Sequence, residues 1–178
     1  MTSTASDRIL RVADLVDRPG ASRRVDLDLS VPDDLHLELA EVAAPLHLAG
    51  VVESVVDGLL VRGELSTAVR TPCARCLVPM THEVAADVVE LFTDPADLGE
   101  GEELDPGYEL GDGTVDLDTL LRDTLVPAVP YRPLCDRDCR GLCPECGVNR
   151  NEVECVCTQT DDDPRWAALS DLRLPDAD

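Results

Sequence analysis

The sequence predicts an α+β protein, predominantly antiparallel β (a sheet or a partly open barrel), with one main helix and a cysteine-rich C-terminal tail. Apolar and polar residues alternate with period two through much of the chain up to Phe92, and one later segment repeats its leucines at helical spacing. Six of the eight cysteines lie between Cys135 and Cys157. At 178 residues there is room for one medium domain and a small appendage, divided as a β-rich core over 1–130 and a cysteine-rich tail over 131–178.

Residues 8–18 are expected to form a short helix before the turn DRPGAS. In RRVDLDLSV, Val25, Leu27, Leu29 and Val31 alternate with polar positions, the period of a half-buried strand. LHLELAEV repeats that pattern, with Leu35, Leu37 and Leu39 on one face. PLHLAGVVESVV and LLVRGELSTAV read as two strands joined by an Asp57-Gly58 hairpin turn, glycine supplying the positive φ such turns need. HEVAADVVELF is most simply a further strand, with a helix the alternative that Ala85 and Ala86 leave open.

Between 94 and 118 there are ten acids and no base among Gly and Pro, so an acidic, solvated loop outside the core is expected. TVDLDTLLRDTLVPAVP predicts the main helix at about 116–126, capped by Asp116 or Asp118, with Leu117, Leu120, Leu121 and Leu125 on one side and Pro127 ending it. A short closing helix is expected in TDDDPRWAALSDL, with Asp163 as N-cap, Pro164 in the first turn, and Trp166, Leu169 and Leu172 sharing a face.

The net charge is −22, from 37 acids against 15 bases, and every base is arginine. A phosphate backbone would be repelled unless a basic patch stood more than a Debye length, about 8 Å, from the acids. Aromatics make up only 2% of residues, which leaves little for base stacking. The stretch MTSTASDRILRVADLVDRPG is interrupted by Asp7, Arg8, Arg11 and Asp14, unlike a secretory signal or membrane span, so the expected location is cytoplasmic, with no membrane partner.

That setting keeps thiols reduced and favours metal binding over disulfides. The cysteines form four pairs: Cys73 and Cys76, Cys135 and Cys139, Cys143 and Cys146, Cys155 and Cys157. Eight thiolates suit two tetrahedral zinc sites, since a close pair on a tight turn delivers two ligands at once, as in the knuckle CPECG. Iron–sulfur ligation has compatible spacing. A redox role would want a low-pKa thiol at a helix N-terminus, and CARC lies between strands instead. Thiolates alone fill both sets, so the zinc is expected to be structural, in a zinc-knuckle tail too short to build its own core. Loading both sites would take the formal charge to about −26, eight thiolates less two divalent ions. His36, His47 and His82 lie far apart in sequence, and neither a Ser-His-Asp set nor a glycine-rich phosphate loop occurs. No enzyme activity and no small-molecule substrate are expected.

CARCL after a hairpin, an acidic loop, a helix running into VPAVPYRPLC, then DCRGLCPECGVNRNEVECVC and DPRWAALSDL, resembles the YceD family, the large ribosomal RNA subunit accumulation proteins. The resemblance is densest over Thr71–Cys76 and Pro130–Leu172 and includes Asn149 and Asn151. It implies a cytoplasmic, non-enzymatic role in accumulation of large-subunit ribosomal RNA and in ribosome assembly. It also implies one zinc on Cys73, Cys76, Cys135 and Cys139 and a second on Cys143, Cys146, Cys155 and Cys157. The alternative joins Cys135 and Cys139 to Cys143 and Cys146, leaving CARC with CVC. The implied partners are a large-subunit precursor or basic ribosomal proteins. For direct RNA contact, Arg75 with Arg62 and Arg70 is the candidate patch, against the plainer role of a surface arginine paired with an acid.

Overall fold

The computed structural model describes residues 7–99 and 103–157. Among these residues seven strands and one α-helix follow in order, with a 3-10 turn at Pro95–Asp97: β1 Ile9–Arg11, β2 Ser22–Leu29, β3 Glu41–Val42, β4 Leu46–Val55, β5 Gly58–Pro72, β6 Pro79–Phe92, β7 Thr114–Asp116 and α1 Asp118–Ala128. β2, β4, β5 and β6 pair antiparallel in that order, β3 joins the far end of β5, and β1 pairs with β7 as a separate ribbon. The sheet is open, not a closed barrel.

Alternation builds the core directly. Val25 and Leu29 of β2, Leu46, Leu48 and Val52 of β4, Leu59, Val61, Leu65 and Val69 of β5, and Val84, Val88 and Phe92 of β6 are all buried on one face. α1 lies against β6 and β5 and seals that face with Leu120, Leu121 and Leu125. Truncating one such leucine to alanine typically costs about 2–5 kcal/mol, so this layer holds the fold.

The segment 8–18 is not helical: Ile9–Arg11 is a strand, followed by turns through Asp17, whose φ is 57°. Backbone pairing with β7, Leu10 opposite Val115, overrides the local helical pattern. Arg8, only 3% exposed, then reaches the start of α1, where it pairs with Asp118 and also donates to Ser30. LHLELAEV is not a strand until Glu41–Val42, and Leu39 is 75% exposed. The edge of β5 that it would join is filled by β4 as far as Ser66, leaving only Val69 and Arg70 for β3.

The β4–β5 hairpin forms, but its loop is Val56-Asp57, closed by the pair Val55 and Gly58. Gly58 has φ 140°, and a Cβ there would lie 2.1 Å from the Phe92 carbonyl oxygen, so close approach to β6 is a second demand on this glycine. Part of the acidic segment enters the core, contrary to a wholly solvated loop. Tyr108, Leu110, Val115 and Leu117 are buried, Thr93 bridges to Glu109, and Tyr108 packs on Phe92 with ring centroids 5.4 Å apart. The Tyr108 hydroxyl donates to Asp123 of α1 at 3.0 Å; burial, then that carboxylate, pushes its pKa upward. Burial, then Asp123 and Asp105, likewise raises Glu90.

α1 begins at Asp118, two residues later than expected, and its N-cap is Leu117 instead of an aspartate; the Asp116 carboxylate still accepts the Asp118 N–H at 2.9 Å just ahead of the helix. Pro127 does not end the helix but sits inside its last turn, where it forgoes one N–H to carbonyl bond; the helix runs on to Ala128, and the Val129 N–H still reaches Leu125 O at 3.2 Å. The expected closing helix at 163–172 lies outside the described residues. Among the described residues no helix is long and apolar enough to cross a membrane.

Gly50 and Gly63 face each other across β4 and β5. A Cβ on Gly63 would stand 2.3 Å from Ala49 O and 2.7 Å from Gly50 Cα, so Gly63→Ala should destabilise the protein by about 1–3 kcal/mol in urea unfolding. Gly111→Ala, whose Cβ would meet only the Thr114 side chain at 3.1 Å and backbone at 3.4 Å, should stay within about 0.5 kcal/mol of the parent.

Candidate metal centre

Pro72 pairs with Pro79, so the tip of the long β5–β6 hairpin is the segment from Cys73 to Val78. This CxxC turn and the one at Cys143 fold alike. The Cys73 N–H donates to Val78 O at 2.8 Å and the Leu77 N–H to Cys73 O at 3.0 Å. Equivalently, the Cys143 N–H donates to Val148 O at 2.8 Å and the Gly147 N–H to Cys143 O at 2.9 Å. Both turns need a positive φ just after the second cysteine, 73° at Gly147 and 60° at Leu77. Glycine accepts this conformation without cost, whereas leucine is strained in it.

The eight cysteines are free thiols gathered in two groups. The sulfurs of Cys73, Cys76, Cys135 and Cys139 lie within 4.8 Å of one another, and so do those of Cys143, Cys146, Cys155 and Cys157. The structure therefore brings CARC together with the pair at 135 and 139, not with CVC. In the first group Cys73 and Cys139 sulfurs are 3.8 Å apart and those of Cys76 and Cys135 3.5 Å, well beyond a disulfide bond of about 2.05 Å. Cys73, Cys76 and Cys139 are buried, with Met80 and Leu142 packed beside them, while in the second group only Cys143 is buried.

Such a set cannot be fully ionised without a cation. Two unit charges about 4 Å apart repel by about 4 kcal/mol at an effective dielectric constant of about 20. The thiols accordingly diverge. Burial raises the Cys73 pKa, but backbone N–H groups of Cys76, Arg75 and Cys135 outweigh it and bring the thiol down to about 6. Cys143 is also lowered to about 6, here first by the backbone N–H groups of Cys146 and Glu145. Hydrogen bonding to Cys76 and then Cys139 holds Cys135 up at about 12, and Cys157 is raised to about 12 chiefly by Cys146. Each tetrad thus favours a thiolate at its knuckle and retains protons that a bound cation would displace.

The tail is fastened to the hairpin tip by backbone as well as sulfur. The Ala74 N–H donates to Pro133 O at 2.8 Å and the Leu142 N–H to Arg75 O at 3.0 Å. Arg75, the candidate partner contact, donates its Nη1 to Cys139 O at 2.8 Å. Arg62 and Arg70 pair with Glu53 and Glu41. His36, His47 and His82 belong to neither tetrad. The structure also gives Asn151 a role that the residue pattern did not suggest: its Nδ2 donates to Cys139 Sγ at 3.3 Å and its Oδ1 accepts the Arg140 N–H at 2.7 Å. Spacing alone carries no sign of this, because Asn151 follows the second knuckle whereas Cys139 and Arg140 precede it.

An open antiparallel sheet whose hairpin tip and tail close two cysteine tetrads defines a small knuckle protein with two potential metal sites. The chain belongs to the YceD family: the family model for large ribosomal RNA subunit accumulation protein YceD matches residues 61–173, which include both tetrads. An uncharacterized protein of Mycobacterium tuberculosis is 36% identical over 98% of this chain and 85% of its own length. One of Mycobacterium leprae is 35% identical over 89% of this chain and 74% of its own. A third relative, the chloroplastic large ribosomal RNA subunit accumulation protein YCED homolog 1 of Arabidopsis thaliana, is 30% identical over 33% of this chain and 18% of its own length. No solved structure matches.

The strained leucine allows a direct test. A left-handed non-glycine residue costs about 1–2 kcal/mol, and glycine returns about 0.5–1 kcal/mol of that through unfolded-chain entropy. Leu77→Gly should therefore raise stability by up to about 1 kcal/mol, seen as a higher melting temperature. A lower one would mean that the Leu77 side chain makes a contact worth more than its strain.

Proposed function

We propose that this protein is a non-enzymatic factor that supports accumulation of large-subunit ribosomal RNA and assembly of the subunit in the cytoplasm, with two structural zinc ions holding its binding surface in shape. The observation that carries this reading is the first tetrad, which joins the hairpin tip to a tail segment about 60 residues away; membership of the YceD family supplies the ribosomal context.

Zinc is favoured by the donor set and the spacing. A tetrahedral ion with metal–sulfur bonds of about 2.3 Å requires sulfur–sulfur edges of about 3.8 Å. The 3.5 and 3.8 Å separations in the first tetrad fit that cage. Four cysteines per ion leave no coordination position for water or substrate, which supports a structural role over hydrolysis. The ion would supply the charge that lets four thiolates stand together.

Charge supports protein partners over naked RNA. At −22 the chain would be steered toward basic surfaces such as those of ribosomal proteins and away from phosphate. Use of Arg75 to hold Cys139, and pairing of Arg62 and Arg70 with acids, weigh against the arginine patch as an RNA contact.

Elemental analysis of the purified chain should find two zinc ions, with Cys73→Ser and Cys155→Ser each losing one. Cys73→Ser should in addition expose the segment around Pro133 to limited proteolysis, whereas Cys155→Ser should leave it protected. Two zinc ions retained by Cys73→Ser would refute the structural part of the proposal.

Tagged protein in lysate gradients at low salt is expected to migrate with large-subunit precursors. Migration only as free protein, even after crosslinking, would remove the ribosomal part. Tight binding to naked ribosomal RNA that falls steeply with salt would favour direct RNA recognition instead.

A further inference from the structure

We infer that the two tetrads are energetically coupled metal sites, and that Asn151 is the positioning residue through which the second tetrad raises the metal affinity of the first. This rests on the metal-binding reading proposed above.

Asn151 lies in the segment between Cys146 and Cys155, so its loop is anchored at both ends by ligands of the second tetrad. Its side chain nevertheless serves the first. The carboxamide Nδ2 donates to Cys139 Sγ at 3.3 Å, while Oδ1 accepts the Arg140 N–H at 2.7 Å, which fixes which end of the amide faces the sulfur. Asn149 Oδ1 accepts both the Asn151 backbone N–H at 3.1 Å and Nδ2 at 2.8 Å, and Asn149 Nδ2 donates to Glu152 at 2.8 Å. The same loop touches the linker between the sites through the Arg150 N–H to Gly141 O at 2.9 Å. That linker is in turn bound to the first knuckle, Leu142 N–H to Arg75 O at 3.0 Å. Gly141 has φ 70°, and a Cβ there would come within 3.0 Å of Arg75 O, so the linker is seated against the knuckle with no space between.

The physical consequence follows from how a thiolate responds to a donor. A hydrogen bond to a metal-bound sulfur disperses its charge and orients it, and loss of such an outer partner commonly lowers affinity about 10–100-fold. Asn151 can make its bond only while its loop is closed. Closing that loop requires Cys146 and Cys155 to converge, which ion binding in the second tetrad enforces. Filling the second site therefore strengthens the first, and by linkage an ion in the first favours closure of the second by the same factor. Without the second ion, Cys139 loses one of its donors and the first site weakens while keeping all four of its own ligands.

The sites also differ in access. Cys146 and Cys157 are exposed, whereas Cys73 and Cys139 are at most 2% exposed, so a chelator meets the second tetrad first. Stripping it would loosen the tail at the hairpin tip before the first ion departs. The device would let the surface at the hairpin tip respond to the metal supply in two steps.

Co2+ titration of the full-length apoprotein, with a competing chelator and the sulfur-to-cobalt charge-transfer band as signal, tests this. The first-site affinity should be about 10-fold weaker in Asn151→Ala than in the parent. Cys155→Ser should show a similar loss, and the double variant should be no worse than Cys155→Ser, because the amide acts only when the second site is filled. The first-site charge-transfer band should move to lower energy in Asn151→Ala, a change that mere loosening of the loop would not produce. Second-site affinity measured in Cys76→Ser should be unaltered by Asn151→Ala. Unchanged first-site affinity and band in Asn151→Ala, or equal losses whether or not the second site is filled, would overturn the coupling. Failure of the parent to bind any Co2+ would instead overturn the metal-binding reading on which it rests.

Discussion

Convergence of Cys73, Cys76, Cys135 and Cys139 is the constraint on which the rest of this molecule depends. Four sulfurs within 4.8 Å, largely out of water, are a standing electrostatic problem unless protons or a cation share the site. Its geometry is set from both sides. The β5–β6 hairpin delivers two of the cysteines on a turn stiffened by backbone hydrogen bonds, and the chain leaving α1 delivers the other two after Pro133 has bonded to Ala74. Residues 131–157 thereby acquire a fixed place although, among them, Cys139 and Cys143 are the only buried apolar side chains.

The sheet gives that constraint its lever arm. β5 and β6 pair continuously from Leu59 opposite Phe92 to Pro72 opposite Pro79, so the knuckle stands at the far end of a long hairpin backed by β4 as far as Ser66 and by β3 at Val69 and Arg70. At the other end the core is completed by residues that the acidic segment contributes. Tyr108 rests on Phe92 and donates to Asp123, which couples the acidic loop to the helix and the helix to the sheet. The Arg8 contact with Asp118 fastens the N-terminal ribbon to the same helix. Apolar packing therefore secures one end of the protein, while thiol clustering and backbone hydrogen bonds secure the other.

Two copies of one turn, at Cys73 and Cys143, meet different local demands. Gly147 adopts positive φ freely, whereas Leu77 adopts it under strain and leaves its side chain 61% exposed. Between the two turns, residues 139–142 belong to both sites at once, through Cys139 on one side and the Gly141–Arg150 contact on the other. Hydrogen bonds thus tie the two sites to each other within residues 135–157.

The sequence by itself determined the strands β2, β4, β5 and β6, the main helix and the two CxxC turns, because period-two burial, helical leucine spacing and cysteine spacing are local properties. It also carried the family, since motif order is written along the chain. Only tertiary structure decided that Ile9–Arg11 is a strand instead of a helix, that Leu39 faces solvent, and that Tyr108 and Val115 leave an acidic loop for the core. Each of those outcomes depends on a partner distant in sequence, β7 for Ile9–Arg11 and Phe92 for Tyr108, or on an edge already filled by β4. The grouping of the cysteines is of the same kind. The resemblance implied it, but contact between the hairpin tip and Pro133, and the reach of Asn151 across to Cys139, exist only once the sheet has set the distance between segments that the chain itself keeps apart.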